Sequence, residues 1–123
     1  MVEVGNELKR GIMADNYITV TSEDFAEEVL NAPQMVIVNF SASWSSSCQI
    51  LDPEFEVISK EYQGRVIFAK LDVDQNEELT GQWNVDGVPT LIFFNGGQEI
   101  NRIKGIVMRD KLRRQVEGAL LAI

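Results

Sequence analysis

One stretch does most to limit what this chain can fold into: Met35-Val36-Ile37-Val38-Asn39-Phe40, apolar throughout except for a single amide. A strand that alternates apolar and polar residues leaves one face to water, whereas this one has to be covered on both faces. It is therefore predicted as the central strand of a sheet with helices packed on each side. The 123 residues suffice for one domain that buries roughly two-thirds of its unfolded surface, and leave no room for a second. With 45% hydrophobic and 24% charged residues, the composition is that of a globular protein rather than a disordered or fibrous one.

The flanking segments supply the layers that such a strand needs. Asn16–Val20 reads as a short strand. Thr21-Ser22-Glu23-Asp24 reads as an N-cap and acidic first turn, opening a helix to about Asn31 with Phe25, Ala26, Val29 and Leu30 inward. A second helix is predicted from Ser45–Ser47 to about Gln63, with Ile50, Leu51, Phe55 and Ile58 on one face and a kink at Pro53. Val66–Val73 reads as another central strand, and Asp74 is expected to cap a short helix with Leu79 and Trp83 facing in. Gly87-Val88-Pro89 breaks the chain before a strand over Thr90–Phe94, which Asn95-Gly96-Gly97 turns into a hairpin returning through Gln98–Lys104. Leu112, Val116, Ala119 or Leu120, and Ile123 stripe a last helix whose outer face offers Asp110–Arg114 and Arg113–Glu117 pairs. Parallel βαβ units followed by an antiparallel hairpin and a terminal helix predict an α/β fold, a three-layer α/β/α sandwich around a mixed sheet.

Two counts remove whole classes of chemistry: the chain has no histidine and one cysteine, Cys48. Ser-His-Asp and Cys-His catalysis and histidine-based zinc sites are excluded, and one thiol makes neither a Cys₄ cluster nor an internal disulfide. No metal and no cofactor are expected. A net charge of −8 repels phosphate backbones and anionic lipid, so neither nucleic acid nor a membrane is an expected partner. No apolar run approaches the roughly 18 residues of a membrane span, and residues 1–16 lack the apolar stretch of a secretion signal; the expected location is the cytoplasm.

Ordered motifs say more. The strand Val36–Phe40 leads into Ser41-Ala42-Ser43-Trp44, and Cys48 closes a four-residue motif after Trp44. Pro53, Ala69-Lys70-Leu71-Asp72-Val73-Asp74, Gly87-Val88-Pro89-Thr90, Asn95-Gly96-Gly97 and Gly105 follow in order. From Asn16 to the C-terminus the chain resembles the thioredoxin family. The resemblance implies a thioredoxin fold over residues 16–123, preceded by residues 1–15, whose Gly5 and Gly11 suit a flexible extension. It also implies membership among the thiol–disulfide oxidoreductases, which reduce protein disulfides and serve cell redox homeostasis.

The family's Trp-Cys-Gly-Pro-Cys reads Trp44-Ser45-Ser46-Ser47-Cys48 here, so the attacking position is Ser45 and the resolving cysteine is Cys48. The attacking thiol works because a helix N-terminus lowers its pKa, and a serine hydroxyl forms no mixed disulfide; dithiol turnover is expected to be lost. The buried aspartate to which the family assigns the resolving thiol's proton is Asn39, an amide that takes up no proton, and the basic residue after the second cysteine is Gln49. Trp44, the Val88–Pro89 step (cis in the family) and Gly105 match the parts that frame a groove for extended peptides. The implied partners are client proteins or extended peptides, joined by a thioredoxin reductase if Ser45 stands where the natural chain has cysteine. The alternative is a redox-inactive peptide-binding or chaperone-like module, similar to the chaperedoxins, whose thioredoxin domain can carry Ser-x-x-Cys. Plainer readings stand beside these: serine caps at the helix start, an inert buried Cys48, and a hydrogen-bonded core amide at Asn39. A Ser45–Lys70 nucleophilic pair is not favoured, because no oxyanion donors can be named.

Overall fold

The strand expected to be covered on both faces is β2 (Met35–Ser41), and every one of its residues is buried. In the computed structural model, residues 16–123 are described; the extension expected over residues 1–15 lies outside them. β2 pairs in parallel with β3 (Val66–Asp72), which pairs in parallel with β1 (Ile18–Thr19). On its other side β2 runs antiparallel to β4 (Thr90–Asn95), and β4 runs antiparallel to β5 (Gln98–Lys104). The result is a mixed five-stranded sheet in the order β1-β3-β2-β4-β5.

Alternation along β2 divides the core in two. Met35 and Ile37 face a cluster with Leu51, Phe55 and Ile58, whereas Val36, Val38 and Phe40 face Phe25, Val29 and Leu79. The first cluster is roofed by α2 (Ser46–Glu61) and α4 (Arg109–Ala122), which contribute Leu51 and Phe55, and Leu112 and Val116. The second is closed by α1 (Ala26–Leu30) and α3 (Glu77–Gln82). The layers are those of an α/β/α sandwich. Between β4 and β5 both Gly96 and Gly97 have positive φ, the backbone that a tight two-residue hairpin loop requires. A Cβ on Gly97 would also lie 3.1 Å from the Leu30 carbonyl oxygen.

Several expectations are corrected in detail. β1 is two residues long, and α1 is a single π-helical turn in which the Asn31 N–H reaches the Ala26 carbonyl at 2.9 Å; Ala26 faces solvent. Ile50 is 50% exposed because the buried stripe runs through Cys48, Leu51, Phe55 and Ile58, and a residue directly before Leu51 points about 100° away. α2 continues unbroken past Pro53, whose exposed position lets solvent meet the carbonyl it leaves without a donor. Asp74 does not cap α3. It lies in a 3₁₀ turn, Val73–Gln75, where the Asp72 carboxylate accepts its N–H at 2.9 Å, and Asn76 opens α3. Ile123 is exposed beyond the end of α4. The outer-face pairs are also different: Arg113 reaches Asp110 and, with two bonds of 2.7 Å, Glu61 on α2. The planar guanidinium fork favours that two-pronged grip across helices over a single reach along one helix.

Candidate functional site

Strand register gathers the chemistry at one end of the sheet. Phe40 lies opposite Thr90, Ser41 beside Asp72, and Thr90 opposite Lys104, so the segments after β2, before β4 and after β5 emerge together. Ser45 precedes α2 with extended backbone angles, and its Oγ accepts the Cys48 N–H at 3.2 Å. It is the N-cap, and it satisfies one of the donors that every helix start leaves unpaired. Cys48, one turn in, is 1% exposed. Trp44 is 69% exposed and its indole N–H donates to Asp74 Oδ2 at 2.8 Å.

The Val88–Pro89 bond is cis, and the Pro89 carbonyl accepts the Gly105 N–H at 2.8 Å. Gly105 has φ +87°, a left-handed conformation that glycine adopts without a side-chain clash. Beyond it Ile106 and Met108 are exposed. The structure thus joins Ser45 to Cys48 and Pro89 to Gly105, while Trp44 is tied to Asp74.

Behind Cys48 lies a second constellation. Asn39 follows Met35 and Ile37 on the face toward α2, in register with Lys70 on β3. From α2, Asp52 meets both: Asn39 Nδ2 donates to Asp52 Oδ1 at 3.3 Å, and Lys70 Nζ donates to Asp52 Oδ2 at 2.7 Å. A carboxylate can only accept, so the amide presents its NH₂ to Asp52. Its own oxygen is then buried with no partner among the described residues. Asn39 is therefore a core amide satisfied on one side only. Burial works against the Lys70 ammonium, but the hydrogen bond and charge of Asp52 outweigh it and hold Lys70 above its ordinary pKa. Cys48, Asp52, Lys70, Tyr17, Ser41 and Asp72 are among the residues lining a cavity of about 330 Å³.

Sequence reasoning missed Asp52 and considered Lys70 only opposite Ser45, whereas Lys70 bonds to Asp52. A signal existed: Asp52 follows Cys48 by four residues and lies next to Leu51 at the edge of the buried stripe, where a half-buried carboxylate needs a partner. Among the described residues no group of three His, Cys, Asp or Glu side chains is placed to hold a metal ion. The site offers a capped serine, a buried thiol, a carboxylate–lysine pair and a glycine–proline rim.

A mixed sheet sandwiched by helices, with a Trp-x-x-x-Cys segment at one helix start and a cis-proline loop emerging at the same end of the sheet, defines a thioredoxin-like α/β protein. The thioredoxin family model matches residues 16–118, and the chain belongs to the thioredoxin family. It is 31% identical over 104 residues to a thioredoxin of Chlorobaculum thiosulfatiphilum, spanning 85% of this chain and 96% of that protein. It is 32% identical over 101 residues to thioredoxin 1 of Nostoc sp., spanning 82% and 94%. A bifunctional thioredoxin reductase/thioredoxin of Mycobacterium leprae is 37% identical over 103 residues, which are 84% of this chain and 22% of that protein. Among the described residues no helix is long and apolar enough to cross a membrane.

Proposed function

We propose that this chain is a thioredoxin-like member of the thiol–disulfide oxidoreductase family, acting in the cytoplasm, that engages extended client segments without turning over dithiols. The observation that carries the reading is the state of Ser45: it occupies the attacking position, and its hydroxyl oxygen is engaged by the Cys48 N–H. A thiol there would be partly thiolate near neutral pH, while a serine hydroxyl is neither acidic enough nor able to form a mixed disulfide. Without the first covalent step, Cys48 has no disulfide to resolve. The polypeptide-binding parts remain: exposed Trp44, the Val88–Pro89 step and Gly105 supply an apolar surface and backbone groups for an extended strand.

The burial of Cys48 favours a second reading, a peptide-binding or chaperone-like module with no redox role. Reduction of insulin by dithiothreitol, or by a thioredoxin reductase with its electron donor, tests the main reading. The expected rate with the protein equals the rate without it, and an unfolded client binds to the parent chain but weakly to Trp44→Ala. Catalytic reduction above the control overturns the loss of turnover. A client held as a disulfide to Cys48, released by dithiothreitol and lost in Cys48→Ala, overturns the second reading.

A further inference from the structure

We infer that Arg102 is a positioning residue for the client-binding rim: aimed by a bulge in β5, its guanidinium fixes the end of α3 and with it the loop that carries Val88 and Pro89. The inference rests on the proposed binding of extended segments at that rim.

The aim comes from strand register. Opposite residues of a β-pair share a face, so Arg102 opposite Ile92 and Glu99 opposite Phe94 both lie on the side of the sheet that α1 and α3 cover. In an unbroken strand, residues three apart point to opposite faces. Here the pairing slips between Phe93 and Phe94, leaving Ile100 without a partner, and this extra residue brings Glu99 and Arg102 onto one face. The Glu99 carboxylate then accepts from Arg102 Nε at 2.7 Å and from Nη2 at 2.8 Å.

The same guanidinium reaches α3. The helix ends with Asn84 at φ +56°, where the Asn84 and Val85 N–H groups close back on the Gly81 and Thr80 carbonyls. That turn leaves the Trp83 and Asn84 carbonyls for another donor, and Arg102 supplies it: Nη2 donates to Trp83 at 2.8 Å and Nη1 to Asn84 at 3.1 Å. Bonds from a charged donor are about twice as strong as neutral ones. Further along β5, the Gly105 N–H donates to the Pro89 carbonyl at 2.8 Å. One strand therefore holds the loop at its beginning through Arg102 and at its end through Gly105. Between them Lys104 lies 3.9 Å from Asp86, but both side chains are exposed and such a pair contributes little. Val85 packs against the core beside the first hold; apolar burial is non-directional, so the direction of the loop is set by Arg102.

Amide hydrogen exchange tests this grip without a client. In Arg102→Met the Gly105 amide, at the far end of the loop, should exchange about 10- to 100-fold faster, the effect of losing hydrogen bonds to a charged group. The Ile37 amide in β2 should change by a smaller factor. A residue that only adds to overall stability would move Ile37 at least as much as Gly105, and that result, or an unchanged Gly105, overturns the proposal. Arg102→Lys keeps a charge for Glu99 but lacks the planar fork that spans two carbonyls, and should behave like Arg102→Met. Parent-like exchange in Arg102→Lys overturns the proposal, because charge alone would then suffice. If Arg102→Met fails to fold, Arg102→Lys decides by the same comparison of Gly105 with Ile37. Binding of carboxymethylated insulin B chain, which has no free thiol or disulfide, should weaken about tenfold in both variants through lost preorganisation. Unchanged binding overturns the proposal. A parent chain that does not bind this peptide overturns the binding reading of the rim instead, and exchange at Gly105 then decides alone whether Arg102 positions the loop.

Discussion

Pro53 divides α2 into halves that are held in different ways. Ahead of it, Ser45 caps Cys48, Asp52 reaches down to Asn39 and Lys70, and Gln49 and Ile50 face solvent. After it, Phe55 and Ile58 are buried against the sheet and the carboxylates grip α4. Glu54 accepts the Arg109 backbone N–H and its Nε, both at 2.9 Å, and Glu61 takes Arg113 with two bonds. Tyr62, the C-cap, donates to Glu117, and burial together with that carboxylate pushes its phenol up to about 12. The first half carries the polar contacts of the candidate site. The second carries apolar area and helix-to-helix ion pairs that set stability. Substitutions in the first half are therefore expected to leave the fold intact.

The sharpest way to break this division is to restore chemistry in the first half. Ser45→Cys should raise insulin reduction from the no-protein rate to measurable turnover, with a stability loss of about 1 kcal/mol for the weakened cap. A stability loss from Ser45→Cys as large as that of a core truncation would erase the contrast between the halves.

The converse experiment is Phe55→Ala. Phe55 is 1% exposed and packs against Tyr17 and Phe68 with ring centroids 5.9 and 5.2 Å away. Truncation should cost about 3–5 kcal/mol, read from the urea midpoint, through lost burial and an incompletely collapsed cavity. Insulin reduction by Ser45→Cys should keep its rate when Phe55→Ala is added, as long as the double variant is folded. A changed rate would mean that the two halves are coupled through the core.

The scaffold was easier to read in the sequence than the site, for a physical reason. The apolar run of β2, the stripe Leu51–Phe55–Ile58 and the Gly96–Gly97 turn are dictated by local periodicity and backbone preference, and all reappear in the structure. Ile50 went astray because it lies about 100° around the helix from Leu51, on the side away from the stripe through Cys48, Phe55 and Ile58. The Asn39–Asp52–Lys70 network was not legible, because it joins residues from three elements and depends on the β2–β3 register. Nothing in the local sequence gives that register. Arg109–Glu54 and Arg113–Glu61 were missed likewise: along α4 alone, the nearest opposite charges are its own, and only packing brings α2 within reach.

The smallest expected effect isolates the electrostatic part of the second half. The Arg109 hydrogen bonds outweigh burial and hold the Glu54 carboxyl below its ordinary range. A group whose folded pKa is depressed adds stability that is fully present above its unfolded pKa, near 4.5, and is lost as pH falls through the folded value. Glu54→Gln retains an oxygen for the Arg109 N–H but carries no charge, so it should be less stable than the parent by about 1 kcal/mol or less at pH 7, on the scale of a helix cap. Urea denaturation repeated downward from pH 5 should show the two proteins converging as the parent carboxyl protonates. A difference that stays constant with pH would mean that Glu54 acts through shape and hydrogen bonding alone. The ion pairs of the second half would then be incidental to its hold on α4, leaving Phe55, Ile58 and the helix contacts of Leu112 and Val116 to account for it.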